Sequence, residues 1–252
     1  MAKAVRAWTS HRPPRAGIWA KAARALQFML RERRFDPAPP HLIHPNCRSS
    51  PLQIVCLDLE GVLIPEIWIE FSQRTGIPEL AKTTRDEPDY DKLMRGRIDI
   101  LGERGLGLRD IQKVIAGMRP IEGAREFLDW LRAEYQVVIL SDTYYQFAVP
   151  LMRQLGYPTL FCHELIVEPC GRVRDYRLRM PDQKRASVKA FKELNFHTIA
   201  AGDSYNDTTM LAEADAGILF RPPANVAAEF PQFRVTRDYD ELRRAVAAAG
   251  NA

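Results

Sequence analysis

The sequence predicts an α/β protein built on a doubly wound parallel sheet with a small inserted helical cap, and three observations carry that expectation. Short apolar runs at 54–57, 137–140 and 198–202 alternate with amphipathic helical patterns. Runs that are apolar at every position are the mark of strands buried on both faces of a parallel sheet. Each run ends in polar residues: Asp58 after the first, Ser141 and Asp142 after the second, Asp203 after the third. The stretch from 58 to 137 is too long for one crossover and carries charged helical patterns from 66 to 119.

The elements follow in order. Residues 1–51 form a basic, proline-rich leader with 10 Lys and Arg against 2 Asp and Glu, and 7 of the 18 prolines. Such proline density continues neither helix nor ladder, so the leader is expected to be mostly unstructured. Residues 18–34 could form a short helix with Ile18, Ala22, Leu26 and Leu30 on one side. The leader is expected to be dispensable, with Leu52 a candidate start. The core is expected over 52–65 and 120–252, and the cap over 66–119, with Trp68, Phe71, Met94, Ile98 and Leu101 packing its interior. After Pro120 a helix places Ala124, Phe127, Leu128, Leu131 and Tyr135 on one face. A hairpin is expected over 165–178 around Gly171, extending the sheet and carrying little chemistry. A further helix has Val188, Phe191 and Leu194 on its face and ends at Asn195, with Lys184 just ahead of it.

Composition narrows the function classes. With 252 residues, 46% hydrophobic and 27% charged, the chain is long enough for a sizeable core and has no apolar run long enough to span a bilayer. The net charge of +4 belongs to the leader, because the rest of the chain is net acidic, so a global case for nucleic-acid binding fails. No membrane partner is expected, and a homodimer is allowed for. The cysteines, Cys47, Cys56, Cys162 and Cys170, form no CxxC pair, which points to a reducing, cytoplasmic setting. No GxxxxGK[ST], no GxGxxG after the first strand and no GxSxG occur, which excludes P-loop, dinucleotide-binding and α/β-hydrolase chemistry.

In doubly wound sheets ligands bind beyond the carboxyl ends of the strands. Three strands here deliver Asp58, Ser141 and Asp203 to that edge. Asp58 and Glu60 are one residue apart, so their side chains can take different jobs, one attacking and one moving protons. Asp203 and Asp207 lie across a strand-to-helix turn, and carboxylates crowded at one edge would repel without a cation. Hard oxygen ligands with open positions suit Mg²⁺. Lys184, the Ser141 hydroxyl and the backbone amides that follow, at Asp142 and beyond, could then hold an anion, so the implied substrate is a phosphate ester. His163 and His197 read as hydrogen-bonded structural residues, Cys56 and Cys162 as small buried hydrophobes, and Tyr144 and Tyr145 as pocket wall or packing.

These residues resemble the haloacid dehalogenase superfamily of phosphatases and phosphotransferases. Its four motifs are similar, in order, to Asp58-Leu59-Glu60-Gly61-Val62, to Ser141 at a strand end, to Lys184, and to Gly202-Asp203-Ser204-Tyr205-Asn206-Asp207. The resemblance runs from residue 53 to about 245 and is strongest to phosphoserine phosphatases, above all to the group that also transfers the phosphoryl group to homoserine. It implies that Asp58 attacks phosphorus and that Glu60 protonates the leaving serine oxygen and later deprotonates the acceptor. It further implies that Mg²⁺ is held by Asp58, the Glu60 carbonyl and Asp203 with Asp207 behind, and that Ser141 and Lys184 hold the phosphoryl oxygens. Glu66 would take the ammonium of L-phosphoserine or L-homoserine and Arg97 the carboxylate, with Arg95 as the competing choice; Asn206 would touch the substrate. Serine and threonine biosynthesis would be the setting. Glu60 stands where the superfamily has Asp and this group has Glu. The competing expectations are a phosphatase for another small phosphomonoester and a non-catalytic binding module on the same fold.

Overall fold

The computed structural model describes residues 52–84, 86, 87 and 89–250. The leader, the helix expected over 18–34 and Cys47 lie outside them. The sheet is built from β1 (Gln53–Leu57), β2 (Gln136–Tyr144), β3 (Leu160–Val167), β4 (Val173–Arg177), β5 (His197–Gly202), β6 (Ala216–Phe220) and β7 (Arg234–Thr236). Their spatial order is β4-β3-β2-β1-β5-β6-β7, and every neighbouring pair is parallel except β3 with β4. The chain works outward from β1 through β2 and β3, then returns to the other side of β1 at β5. The carboxyl end of β1 therefore sits at the reversal of strand order, where such sheets bind ligands.

Alternation explains the continuous apolar runs. Val55 and Leu57 of β1 join one buried cluster with Ile139, Ile199 and Ala201; Ile54 and Cys56 join another with Val138, Leu140 and Ala200. Period two sends successive side chains to opposite faces, and both faces are covered. The first face is covered in part by α4 (Ala124–Glu134) through Phe127, Leu128 and Leu131, by α5 (Tyr145–Gln154) through Phe147 and Leu151, and by α9 (Tyr239–Gly250) through Leu242 and Val246. On the second lies Val188 of α6 (Gln183–Glu193) with Met210 and Leu211 of α7 (Thr208–Glu213) and Val226 of α8 (Ala224–Glu229).

Between β1 and α4 the chain forms α1 (Ile67–Thr75), a 3₁₀ turn (Pro78–Ala81), α2 (Tyr90–Glu103) and α3 (Leu108–Ala116). Trp68, Phe71, Met94 and Leu101 are buried there, Ile98 only partly, in the apolar cluster that includes Val55 and Leu57. The Asp89 carboxylate starts α2 by accepting from Lys92 N.

Three expectations are corrected. β2 continues past Ser141 to Tyr144, because its register against β3 shifts between Leu140 and Tyr144 and ladder pairing resumes at Tyr144 opposite His163. Lys184 lies inside the first turn of α6, not ahead of it. Leu194 is not on the apolar face: α6 ends at Glu193, Leu194 is 65% exposed, and the left-handed Asn195 (φ 63°) turns the chain so that Phe196 packs edge-on against Phe191 instead. The hairpin extends the sheet as expected and braces the helical segment besides. Leu108 N donates to Gly171 O, and the Tyr176 hydroxyl donates to Asp91.

Candidate active site

The site begins where β1 ends. Asp58 N donates to Ala201 O at 2.9 Å, which locks the end of β1 to β5, and the Asp58 carboxylate is buried there. The next turn needs glycine twice over. Gly61 has φ +77°, and a Cβ on it would stand 2.5 Å from the Asp203 carboxyl. The turn is closed by Gly61 N donating to Ile64 O and Leu63 N to Leu59 O, with Leu59, Val62 and Leu63 buried beneath it.

β5 delivers the facing carboxylates. A Cβ on Gly202 would lie 2.3 Å from the Asp207 carboxyl carbon, so only glycine lets Asp207 fold back against the strand end. Asp207 is fully buried; its Oδ2 accepts from Asp203 N at 2.9 Å, Ser204 N at 3.0 Å and the Ser204 hydroxyl at 3.2 Å. Its Oδ1 accepts from Lys184 Nζ at 2.8 Å, and the same ammonium donates to Asp58 Oδ1 at 2.9 Å and stands 3.6 Å from Asp142 Oδ2.

Three carboxylates thus surround one buried ammonium. Burial opposes the Lys184 charge, but Asp207, Asp58 and Asp142 together hold its pKa well above the ordinary lysine value. Burial, Asp207 and Asp203 push the Asp58 carboxyl up, more than Lys184 lowers it. The cluster is therefore short of positive charge. Asp58, Asp203 and Asp207 each offer an oxygen, all within 4.8 Å of one another. All-oxygen donors in excess negative charge fit a hard divalent cation.

The opposite wall holds the second carboxyl. Glu60 Oε2 accepts from Ile67 N, the first amide of α1, at 2.9 Å. Burial first, then the neighbouring Glu66, push Glu60 up to about 8, against the Ile67 N–H and Arg97, which lower it. Glu60 can therefore carry a proton at neutral pH. Arg97 is buried, its guanidinium carbon 4.5 Å from the Trp68 ring centroid, with Nη2 donating to Lys82 O and Nε unpartnered. Arg95, two residues earlier, is exposed and pairs with Asp91 at 2.8 Å and Asp175 at 3.7 Å. Helical geometry explains the split: positions two apart point to different sides.

The structure brings Asp58, Glu60, Glu66, Arg97, Ser141 and Lys184 to the lining of one cavity of about 100 Å³, which Asp142, Asp203 and Asn206 also border. Ser141 Oγ accepts from Thr143 N at 3.2 Å, and Asn206 Oδ1 accepts from Thr84 Oγ1 at 3.2 Å. Asp207 lies behind this lining. Asp142 is more than a supplier of backbone amide: burial raises its carboxyl, but Lys184, His163 and Gln183 bring it well below the usual carboxylate range. Sequence reasoning missed Gln183, whose Nε2 donates to Ser141 O, and Tyr90, whose hydroxyl donates to Asp142 O at 3.1 Å. Adjacency to Lys184 was the one signal for Gln183; Tyr90 had none. His163 and His197 are hydrogen-bonded, to Arg179 N and Ala249 O.

Residues 52–215 match the haloacid dehalogenase-like hydrolase family. A phosphoserine phosphatase of Pseudomonas syringae is 58% identical over 227 residues, 90% of this chain and 94% of that protein, a span that includes part of the leader. The phosphoserine phosphatase ThrH of Pseudomonas aeruginosa is 62% identical over 193 residues, 77% of this chain and 94% of that protein. In fold the chain is similar to a solved phospho-aspartyl intermediate analogue of phosphoserine phosphatase, with a TM-score of 0.64 at 20% identity over 77% of this chain and 98% of the other. Four motifs in order, their convergence on one cavity and these likenesses agree: the chain belongs to the haloacid dehalogenase-like hydrolase family.

Proposed function

We propose that the chain moves the phosphoryl group of L-phosphoserine through an aspartyl-phosphate on Asp58, to water and to L-homoserine. The observation that carries this reading is that one small cavity is faced by a buried carboxylate paired to Lys184 and by a carboxyl pushed up to about 8, Glu60. Those are the two groups a covalent phosphoryl transfer needs. The relatives at 58% and 62% identity carry the name phosphoserine phosphatase, which supports the substrate.

An Asp58 oxygen attacks phosphorus, the bond to the serine oxygen breaks, and that oxygen leaves with the Glu60 proton. Glu60, now a carboxylate, removes the proton of water or of the homoserine hydroxyl as that oxygen attacks phosphorus and frees Asp58. The Ser141 hydroxyl and Lys184 hold the phosphoryl oxygens. Asp58, Asp203 and the Glu60 carbonyl would hold Mg²⁺, which supplies charge for the phosphoryl oxygens. Asp207, both of whose oxygens already accept hydrogen bonds, suits a place behind those ligands.

Residues 66–119 act as a cap over a core of 52–65 and 120–252. Glu66 takes the substrate ammonium; Arg97, with Nε unpartnered, takes the carboxylate, and Asn206 lies against the bound amino acid. Cys56, Cys162 and Cys170 as free thiols fit a cytoplasmic setting. Glu60 reaches one methylene further than Asp and need not hold a water in line, which favours an alcohol acceptor.

The test is a Mg²⁺-dependent assay on L-phosphoserine with and without L-homoserine, following phosphate and phosphohomoserine together, with Asp58→Asn as control. Phosphohomoserine formed at the expense of phosphate is expected. Phosphate alone reduces the reading to a phosphatase, and no turnover of either sinks it in favour of another phosphomonoester. Glu60→Asp is expected to raise hydrolysis relative to transfer; an unchanged ratio removes the acceptor argument.

A further inference from the structure

We infer that His163 is a positioning residue for phosphoryl transfer, acting through Asp142 on Lys184; the inference rests on the reading of Asp58 as nucleophile and Lys184 as its counter-charge. The register shift that carries β2 past Ser141 brings Tyr144 opposite His163, so the imidazole lies beside the end of the strand that bears Asp142. Its Nδ1 accepts from Arg179 N at 3.1 Å, which leaves the proton of the neutral ring on Nε2. Nε2 stands 3.4 Å from Asp142 Oδ1, and Gln183 Nε2 donates to that same oxygen at 3.4 Å. The other oxygen, Oδ2, faces Lys184 Nζ at 3.6 Å.

His163 cannot swing away. It is 3% exposed, and the rings of Tyr90 and Tyr144 pack against it with centroids at 6.3 and 6.2 Å. The Asp142 backbone is held as well, its carbonyl accepting from the Tyr90 hydroxyl. A side chain that only filled space between two tyrosines would not need a backbone amide to set its tautomer.

The consequence appears during turnover. An ammonium has three hydrogens, and two of Lys184's go to Asp58 and Asp207. When Asp58 becomes an acyl phosphate it loses its negative carboxylate. Asp207 and Asp142 then keep the ammonium in place beside the phosphoryl group, and Asp142 does so only while His163 and Gln183 fix its carboxylate. An orienting partner of this kind acts on rate more than on substrate binding.

The experiment is a double-mutant cycle on the full chain with Mg²⁺, comparing wild type, His163→Leu, Asp142→Asn and the double variant on L-phosphoserine. His163→Leu is expected to lower kcat about tenfold with KM within about twofold. The double variant is expected to be no slower than Asp142→Asn alone, because both changes remove one coupling. His163→Gln, which can place an amide N–H near the Nε2 position, is expected to recover kcat to within about threefold of wild type. Additive losses, an unchanged kcat in His163→Leu, or a Gln variant as slow as the Leu variant overturns the inference. If wild type does not turn over L-phosphoserine, the substrate reading fails by itself and the same cycle is read with p-nitrophenyl phosphate. Should the Leu variant not fold, ¹⁵N NMR of the wild-type imidazole decides: a proton on Nε2 is expected, and a neutral ring protonated on Nδ1 overturns it.

Discussion

The floor of the cavity and its roof are held by opposite means. On the floor, Asp58, Asp203 and Asp207 stand at or just beyond strand ends and Lys184 in a first helical turn, and Lys184 and two backbone amides engage the Asp58 and Asp207 carboxylates over 2.8 to 3.0 Å. The ladder fixes the Asp58 backbone through Ala201, and the buried ion pairs with Lys184 tie the Asp58 and Asp207 carboxylates to one another. In the roof, Arg97 is held through its long side chain by the Trp68 ring and the Lys82 carbonyl, and one amide of α1 meets Glu60 from the turn after β1. Under the proposed function, the floor would serve the chemical step common to all phosphate esters, and the side chains of the roof would recognise the rest of the substrate.

That contrast can be broken at its strongest point first. Asp58→Asn is expected to lower kcat at least about a thousandfold, since no other oxygen replaces the proposed nucleophile; a steady-state assay and the absence of hydroxylamine-sensitive phosphorylated protein after acid quenching check it. Lys184→Met comes next. It leaves Asp58 and Asp207 buried without their counter-charge, so a rate loss of at least about a hundredfold and a loss of about 3 kcal/mol of stability are expected, read by urea unfolding at neutral pH.

The roof should respond in KM. Arg97→Ala is expected to raise KM for L-phosphoserine by about ten- to a hundredfold with a smaller change in kcat, the loss of a charged hydrogen bond to a carboxylate. Arg95→Ala, which removes an exposed pair, is expected to change neither parameter by more than about twofold. Equal effects of the two would erase the distinction between the buried and the exposed arginine.

A further case, read in stability, lies in the sheet behind the floor. Burial raises the Asp215 carboxyl, but the Thr198 N–H and hydroxyl at 2.8 and 2.9 Å and Lys192 more than offset this, so its pKa is lowered on folding. Its stabilising contribution is therefore complete above the unfolded value of about 3.9 and is lost as pH falls through the lower folded-state value. Asp215→Asn should lower the melting temperature by a few degrees at pH 7 and flatten its fall below pH 4, as measured by differential scanning calorimetry.

Most of the floor is legible in the sequence because it depends on local pattern. Ile54 to Leu57 is apolar at every position, so the strand ends where Asp58 begins; Thr198 to Gly202 leads to Asp203 in the same way. Arg97 against Arg95 could not be decided along the chain, because which side of α2 faces the cavity depends on how that helix packs over Trp68. The extension of β2 past Ser141 was hidden too, since its register is set by β3, a strand formed later in the sequence.

Local pattern was enough for the apolar strands at 54–57, 137–140 and 198–202 and for the polar residues that follow them, because side-chain periodicity and strand-end polarity are properties of neighbours in the chain. Only the tertiary structure decided that three carboxylates share one ammonium, that Glu60 is tied to α1, and that Tyr90, His163 and Gln183 converge on Asp142. Apart from Glu60 and Ile67, those are contacts between residues far apart in sequence, where burial and proximity set charge and proton position, and no local pattern encodes them.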